Sequence, residues 1–324
     1  MTTPTGSLGT VVTVTANPSL DRTVALRRPL ERGAVQRVAT MTSQAGGKGV
    51  NISRAAVAAG VATIAVLPST DDDPFVLELR AAGITCHPSR PSGPIRVNLT
   101  LTEPDGTTTK LNSPGAAMDD EHLEALADTV VENAREAAWV VLAGSLPPGA
   151  PAAFYAVLLS RLQSVARVAV DTSEVPLAAL VETLDAAAPQ LLKPNAEELA
   201  SVTGGDAEKL EADPSLVARV ARGLVDRGVG AVLATLGSRG AVLVDSTGAW
   251  HAKAPSVAVA STVGAGDSSL FGYLLGDLRG LPSADCLALA VGYGSAAAAL
   301  PGTGIPQPDD VDAAAVAVID LSST

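Results

Sequence analysis

Through the middle and C-terminal parts of the chain, short apolar runs alternate with longer amphipathic ones. WVVLAG (139–144), VAVD (168–171), LLKPN (191–195) and AVLATLG (231–237) read as buried strands. Between them the spacing predicts helices over 119–137, 151–164 and 214–228. This alternation points to an α/β fold, a doubly wound and mostly parallel sheet covered by helices on both faces. Such sheets bind ligands at the carboxyl ends of their strands. Gly144-Ser145, Asp171, Lys193-Pro194-Asn195 and Gly237 fall at those ends.

Two regions break the rhythm. TVVTVTANPSLDRTVAL (10–26) is rich in Val and Thr and looks extended. GPIRVNLTLTEPDGTTTKLNSPG (93–115) reads as a hairpin that turns at Glu103-Pro104-Asp105-Gly106. Within it, RVNLTLT alternates polar and apolar positions, the pattern of a sheet with one wet face. These pieces are expected to form a small β-sheet projecting from the main body as a lid, built from about 16–45 and 93–115. A single domain spanning 1–324 carries it.

Composition narrows the possibilities. Hydrophobic residues make up 47% and aromatic ones only 2%, so the core is expected to be Ala, Val and Leu. The 22 basic and 34 acidic residues give a net charge of −12, which argues against a nucleic-acid or anionic-membrane surface. Any phosphate site must then be a local basic pocket. Cys86 and Cys286 lie far apart and are expected to be reduced and buried; His87, His122 and His251 show no metal-ligand spacing. MTTPTGSLGT has neither a basic start nor an apolar run, so no signal peptide is expected. Apolar stretches are interrupted well short of membrane-spanning length. A soluble cytoplasmic protein is the expectation.

The candidate chemistry lies in glycine-rich turns. In STVGAGDSS (261–269), Gly264, Ala265 and Gly266 precede Asp267, and Leu270, Phe271, Leu274, Leu275 and Leu278 then recur at helical spacing. The turn therefore opens a helix, where free N–H groups and the helix dipole favour an anion. Taken alone, GAGD is simply a helix cap. A carboxylate beside an anion site makes chemical sense when it takes the proton of a hydroxyl that attacks a bound phosphate. AGGKGVN (45–51) is a second such loop: Gly46, Gly47 and Gly49 allow close approach and Lys48 adds charge, although by itself it could be a flexible turn. Asp21 in NPSLD suits sugar hydroxyls, and Arg96, on one hairpin face with Asn98, suits phosphate through its planar fork. Asn195 and Glu198 in KPNAEEL resemble a capping box, and a cap at a sheet edge can also lend its Glu to hydrated Mg²⁺. The nucleotide fingerprints G-x-x-x-x-G-K-[ST] and G-x-G-x-x-G are missing, which disfavours a P-loop enzyme or a dehydrogenase.

Taken together, TANPSLD, AGGKGVN, RVNLT, GSLPPG, VDTS, KPNAEEL, LGSRGA and STVGAGD resemble, in order, the motifs of the PfkB family of ribokinase-like sugar kinases. The resemblance runs along nearly the whole chain. It implies ATP as phosphoryl donor, Mg²⁺, a small-molecule sugar phosphate as acceptor, and a lid often used for homodimerisation. The nearest branch phosphorylates the 6-hydroxyl of fructose 1-phosphate; branches acting on tagatose 6-phosphate and fructose 6-phosphate share almost the same motifs. A non-catalytic sugar-phosphate sensor is the rival from another class, and the intact Asp267 argues against it. The resemblance makes Asp267 the catalytic base and Gly264, Ala265 and Gly266 the anion hole. Asp21, Gly47, Lys48, Asn51 and Arg96 match substrate positions, with Lys48 and Arg96 for the sugar's phosphate. Lys193, Asn195 and Glu198 match the nucleotide-phosphate and Mg²⁺ region. Thr235, Gly237 and Gly240 match the nucleotide loop, and Val291, Gly294 and Ser295 the adenine side. One departure is Glu174, where many relatives have glycine after DTS; it bears on the loop beside Asp171.

Overall fold

In a computed structural model describing residues 8–321, the strands form a large sheet and a small one. The first seven residues, on which the signal-peptide expectation rests, lie outside that range. The large sheet holds β1 (Thr10–Val14), β4 (Ala62–Pro68), β5 (Thr85–Ser89), β8 (Ala137–Ala143), β9 (Arg167–Asp171), β10 (Leu191–Leu192), β11 (Ala231–Thr235), β12 (Ala241–Asp245), β13 (Gly248–Ala252) and β14 (Val318–Asp320). Its order is β14-β13-β12-β11-β10-β9-β8-β1-β4-β5. Pairing is parallel from β5 to β11 and antiparallel beyond.

Both faces of this sheet are covered. Alternate residues of a strand point to opposite sides, so Val12, Val14, Val140 and Leu142 enter one apolar cluster while Val11, Trp139, Val141 and Ala143 enter the other. Helices α3 (Asp120–Ala134), α4 (Phe154–Leu162), α5 (Glu174–Glu182), α6 (Ala196–Thr203) and α8 (Pro214–Val225) cover the first side, with short α7 (Ala207–Ala212) beside them. Helices α1 (Lys48–Ala58), α9 (Ala265–Leu278) and α10 (Ser283–Ala298) cover the second. Helix α2 (Pro74–Ala81) closes a smaller cluster against β4 and β5. The core is short of aromatics, and α9 and α10 fill space by close approach instead. A Cβ on Gly272 would stand 2.6 Å from the Leu289 carbonyl oxygen, and Phe271 meets Tyr293 edge to face at 5.3 Å. Cys86 and Cys286 are buried free thiols, and burial pushes both up, to about 11 and about 12.

The small sheet has order β3-β2-β6-β7, from β2 (Ser19–Leu26), β3 (Val38–Gly46), β6 (Arg96–Thr102) and β7 (Thr108–Asn112). The extended stretch 10–26 thus divides between the two sheets. Its first part does not belong to the lid: Val11, Val12 and Val14 are fully buried between β4 and β8. The β6–β7 hairpin turns at Glu103–Gly106, where Gly106 N–H donates to the Glu103 carbonyl at 3.0 Å. No residue of β6 is fully wet or fully buried. Arg96 and Asn98 on its polar side face a cleft, which half-covers the face expected to be wet. The predicted strand 191–195 ends early, at Leu192. Pro194 has no N–H to donate, and only its carbonyl continues the ladder, accepting from Thr235 N–H at 3.0 Å.

Candidate active site

The expected site residues gather along the carboxyl edge of the large sheet, where two cavities adjoin. One, of about 450 Å³, is bounded by the small sheet and lined by Asp21, Gly47, Lys48, Asn51, Arg96, Lys193, Glu198, Gly264 and Asp267. The other, of about 600 Å³, is lined by Gly237, Gly240, Ala265, Val291, Gly294 and Ser295 and by no charged side chain. Asn195, Thr235 and Gly266 line both. The cavities therefore meet along the glycine turn, Asn195 and Thr235.

That turn is built by its backbone. Gly264 caps α9 at φ 80, a left-handed conformation costly for residues with a Cβ. Ala265, Gly266 and Asp267 follow as the first helical residues, whose N–H groups have no acceptor within the helix. Asp267 is buried, and its Oδ2 accepts from Asn51 Nδ2 at 2.8 Å. Burial first, and the Asp171 carboxylate second, push the Asp267 carboxyl up to about 6. Lys48, the Asn51 hydrogen bond and Lys193 pull the other way.

Gly47, at φ 120, lies between β3 and α1 as the cap of that helix, whose first residue is Lys48. Its Nζ donates to Asp171 Oδ1 at 2.7 Å. The Lys193 ammonium lies 3.1 Å from Asp171 Oδ2. Burial opposes the charge of Asp171, but Lys193 and Lys48 outweigh it and hold its carboxyl below the usual range. Burial likewise works against Lys48, and the carboxylates of Asp171, Asp267 and Glu198 overcome it and raise its pKa.

On the small-sheet side, Asp21 Oδ1 accepts from Ser19 Oγ at 2.8 Å and from Asn98 Nδ2 at 3.0 Å. Arg96 Nη1 donates to the Ser113 carbonyl at 3.1 Å. Thr15 Oγ1, Arg96 Nε and Asn98 Oδ1 are buried on this cavity without protein partners, groups a polar ligand would satisfy. Asn195 and Glu198 form a complete capping box on α6, each side chain accepting the other's N–H at 2.8 Å. Gly240 also has a structural reason to be glycine, since a Cβ there would overlap the Ala252 carbonyl.

The sequence placed Asp171 at a ligand-binding strand end and in the VDTS motif but gave it no role, and Ser19 carried no signal. Glu174 is the one non-glycine residue with positive φ, at 54, among the described residues. The departure from glycine therefore falls on a left-handed position beside the site. Glu174→Val should lower stability by about 1–2 kcal/mol because a branched side chain is poorly tolerated there, whereas Glu174→Gly should not. Urea denaturation of both variants checks this.

The pfkB family carbohydrate kinase model matches residues 14–310. The chain belongs to this family. It is a phosphotransferase whose acceptor is an alcohol. It is 37% identical over 265 residues to a 1-phosphofructokinase of Xanthomonas campestris pv. campestris, covering 81% of this chain and 82% of the relative. A 1-phosphofructokinase of Rhodobacter capsulatus is 36% identical over 310 residues, 94% of this chain and 95% of that one. The crystal structure of phosphofructokinase-2 from Escherichia coli in complex with substrates and products matches with a TM-score of 0.83 at 28% identity, covering 93% and 96% of the two chains.

Proposed function

We propose that the protein transfers the γ-phosphoryl group of ATP to the 6-hydroxyl of fructose 1-phosphate, giving fructose 1,6-bisphosphate. The observation that carries this reading is the glycine turn at the junction of a neutral cavity and a charged one, with Asp267 on the charged side. The neutral cavity suits the nucleoside. The Gly266 and Asp267 N–H groups at the start of α9, which have no acceptor within the helix, suit the transferring phosphoryl group. Asp267, with a carboxyl near 6, is ionised at neutral pH and takes the proton of the attacking hydroxyl. Asp21, oriented by Ser19 and Asn98, accepts from other sugar hydroxyls, and Arg96 meets the phosphate the sugar brings. The small sheet would close over the sugar and exclude water from the transfer.

Mg²⁺ fits this site through the nucleotide. Among the described residues, no group of three or more acidic, His or Cys side chains is placed to hold a metal. A lone carboxylate such as Glu198, with one oxygen committed to its cap, suits a Mg²⁺ that keeps its waters and takes ligands from phosphates. Bound there, Mg²⁺ supplies charge neutralisation for the phosphates. Glu198→Gln should raise the Mg²⁺ requirement with little change in melting temperature, because Gln still completes the capping box. A Mg²⁺ titration of activity beside thermal melts separates this from a cap alone, which would leave the titration unchanged.

Among the described residues no helix is long and apolar enough to cross a membrane. A homodimer formed through the small sheet agrees with its Met41 (61% exposed) and Leu111 (55% exposed), which leave apolar surface uncovered. The deciding assay compares kcat/KM for fructose 1-phosphate, fructose 6-phosphate and tagatose 6-phosphate. Fructose 1-phosphate is expected to lead, and a clear lead for either of the others would overturn the assignment.

A further inference from the structure

We propose that the buried carboxylate of Asp171 is a positioning residue that gathers Lys48 and Lys193 around the transferring phosphoryl group, so that Lys48 acts on that group and not on the phosphate the sugar already carries. The inference rests on the reading of the α9 turn as the transfer site.

The geometry starts from Asp171, which is fully buried at the end of β9. It meets an ammonium at each oxygen: Oδ1 accepts from Lys48, at the start of α1, at 2.7 Å, and Oδ2 ion-pairs with Lys193, just after β10, at 3.1 Å. A buried carboxylate needs pairing, but one cation would suffice. The second leaves the trio with a net positive charge. That charge lies at the α9 turn: a Cβ on Gly266 would stand 3.5 Å from Lys193 Nζ. The Lys48 stem runs past Gly144, where a Cβ would lie 3.8 Å from its own Cβ. Asn51, on the same face of α1 as Lys48, holds Asp267. One helix therefore serves both carboxylates.

The charge count supports the assignment. At neutral pH Lys48, Lys193, Asp171 and ionised Asp267 sum to zero. When Asp267 takes the hydroxyl proton, the same set becomes net positive, as charge spreads over the phosphoryl oxygens. Fructose 1-phosphate carries its phosphate on C1 and its acceptor hydroxyl on C6, at opposite ends of the sugar. A cation tied into the Asp171–Asp267 centre stands at the C6 end. Arg96, on the small sheet beside Asp21, is the group left for C1. Free lysines sample many rotamers, and the shared carboxylate removes that freedom before ATP arrives.

Lys48→Met keeps the Asp171–Lys193 pair and decides the proposal by itself. Its kcat should fall roughly 10²–10³-fold with KM for fructose 1-phosphate changed less than about threefold. Slow ATP hydrolysis measured without any sugar should fall with it. A raised KM with kcat and sugar-free hydrolysis retained would overturn the proposal and return Lys48 to the sugar's phosphate. Because sugar-free hydrolysis does not depend on the acceptor, a wrong assignment of the sugar shows separately, in the wild-type substrate comparison. The positioning role is read from pH profiles. The groups facing Asp267 are Lys48 and Asn51 of α1, Asp171 of β9 and Lys193 after β10, with Glu198 of α6 facing Lys48. Asp171→Asn should lower kcat about 10–100-fold and move its acid limb to lower pH, since it removes the anionic neighbour. Lys48→Met should move the limb to higher pH. Unmoved limbs in both folded variants would leave Asp171 a structural residue only. If Asp171→Asn does not fold, the limb of Lys48→Met decides the same point.

Discussion

Asp267→Asn is expected to lower kcat by roughly 10²–10⁴-fold while ATP binding stays nearly intact, the usual worth of a positioned general base. The amide keeps the shape of the side chain and its contact with Asn51, so the loss reports proton transfer. The wild-type pH profile gives an independent check. With its carboxyl pushed up to about 6, the base is lost as pH falls through that value, and the rate should drop about tenfold per unit below it. Stability should move oppositely. A carboxyl raised from 3.8 to about 6 on folding favours the fold when protonated, and that contribution disappears as pH rises through about 6. Above that pH the ionised group weighs against folding, so Asp267→Asn should melt no lower than wild type. A variant with near-normal kcat would remove Asp267 from the mechanism.

Fructose 1-phosphate should exceed free fructose by orders of magnitude in kcat/KM, and Arg96→Met should remove much of that advantage. Arg96 is half-buried, and its Nε lacks a protein partner on the cavity wall. A dianion there pairs with a planar donor fork in a medium less polar than water, while a bare hydroxyl gains little. Losing one charge-assisted contact should cost about 1.5–3 kcal/mol, roughly 10–100-fold, seen mainly as a higher KM for the phosphorylated sugar. Equal losses on fructose and fructose 1-phosphate would make Arg96 a structural residue of the hairpin. A wild-type enzyme that uses free fructose equally well would remove the phosphate pocket altogether.

Much of the architecture was legible because its signals are local. The runs at 139–144, 168–171 and 231–237 read as buried strands and are found at Ala137–Ala143, Arg167–Asp171 and Ala231–Thr235. The helix opened by GAG begins at Ala265, as glycine at a left-handed cap dictates. The capping box at Asn195 and Glu198 needs only residues three apart, and it forms. Where sequence and structure part, the deciding term was not local. Residues 10–14 and 19–26 both read as extended, and only neighbours far along the chain send one to the interior of the large sheet and the other to the small one. The strand at 191–195 stopped early for want of one N–H at Pro194.

The sequence by itself determined the periodicities, the glycine turns, the local caps and the acidic balance, because each follows from steric preferences over a few residues. Only the tertiary structure decided which charges meet. Lys48 reaches Asp171 across 123 positions and Asn51 reaches Asp267 across 216, through a strand order that places β1 between β4 and β8. The same packing puts Glu174 in a left-handed conformation that its own type disfavours. Burial then changes the chemistry: a carboxyl near 3.8 in water is pushed up to about 6 in Asp267, since desolvation and a neighbouring anion exist only once the chain has folded.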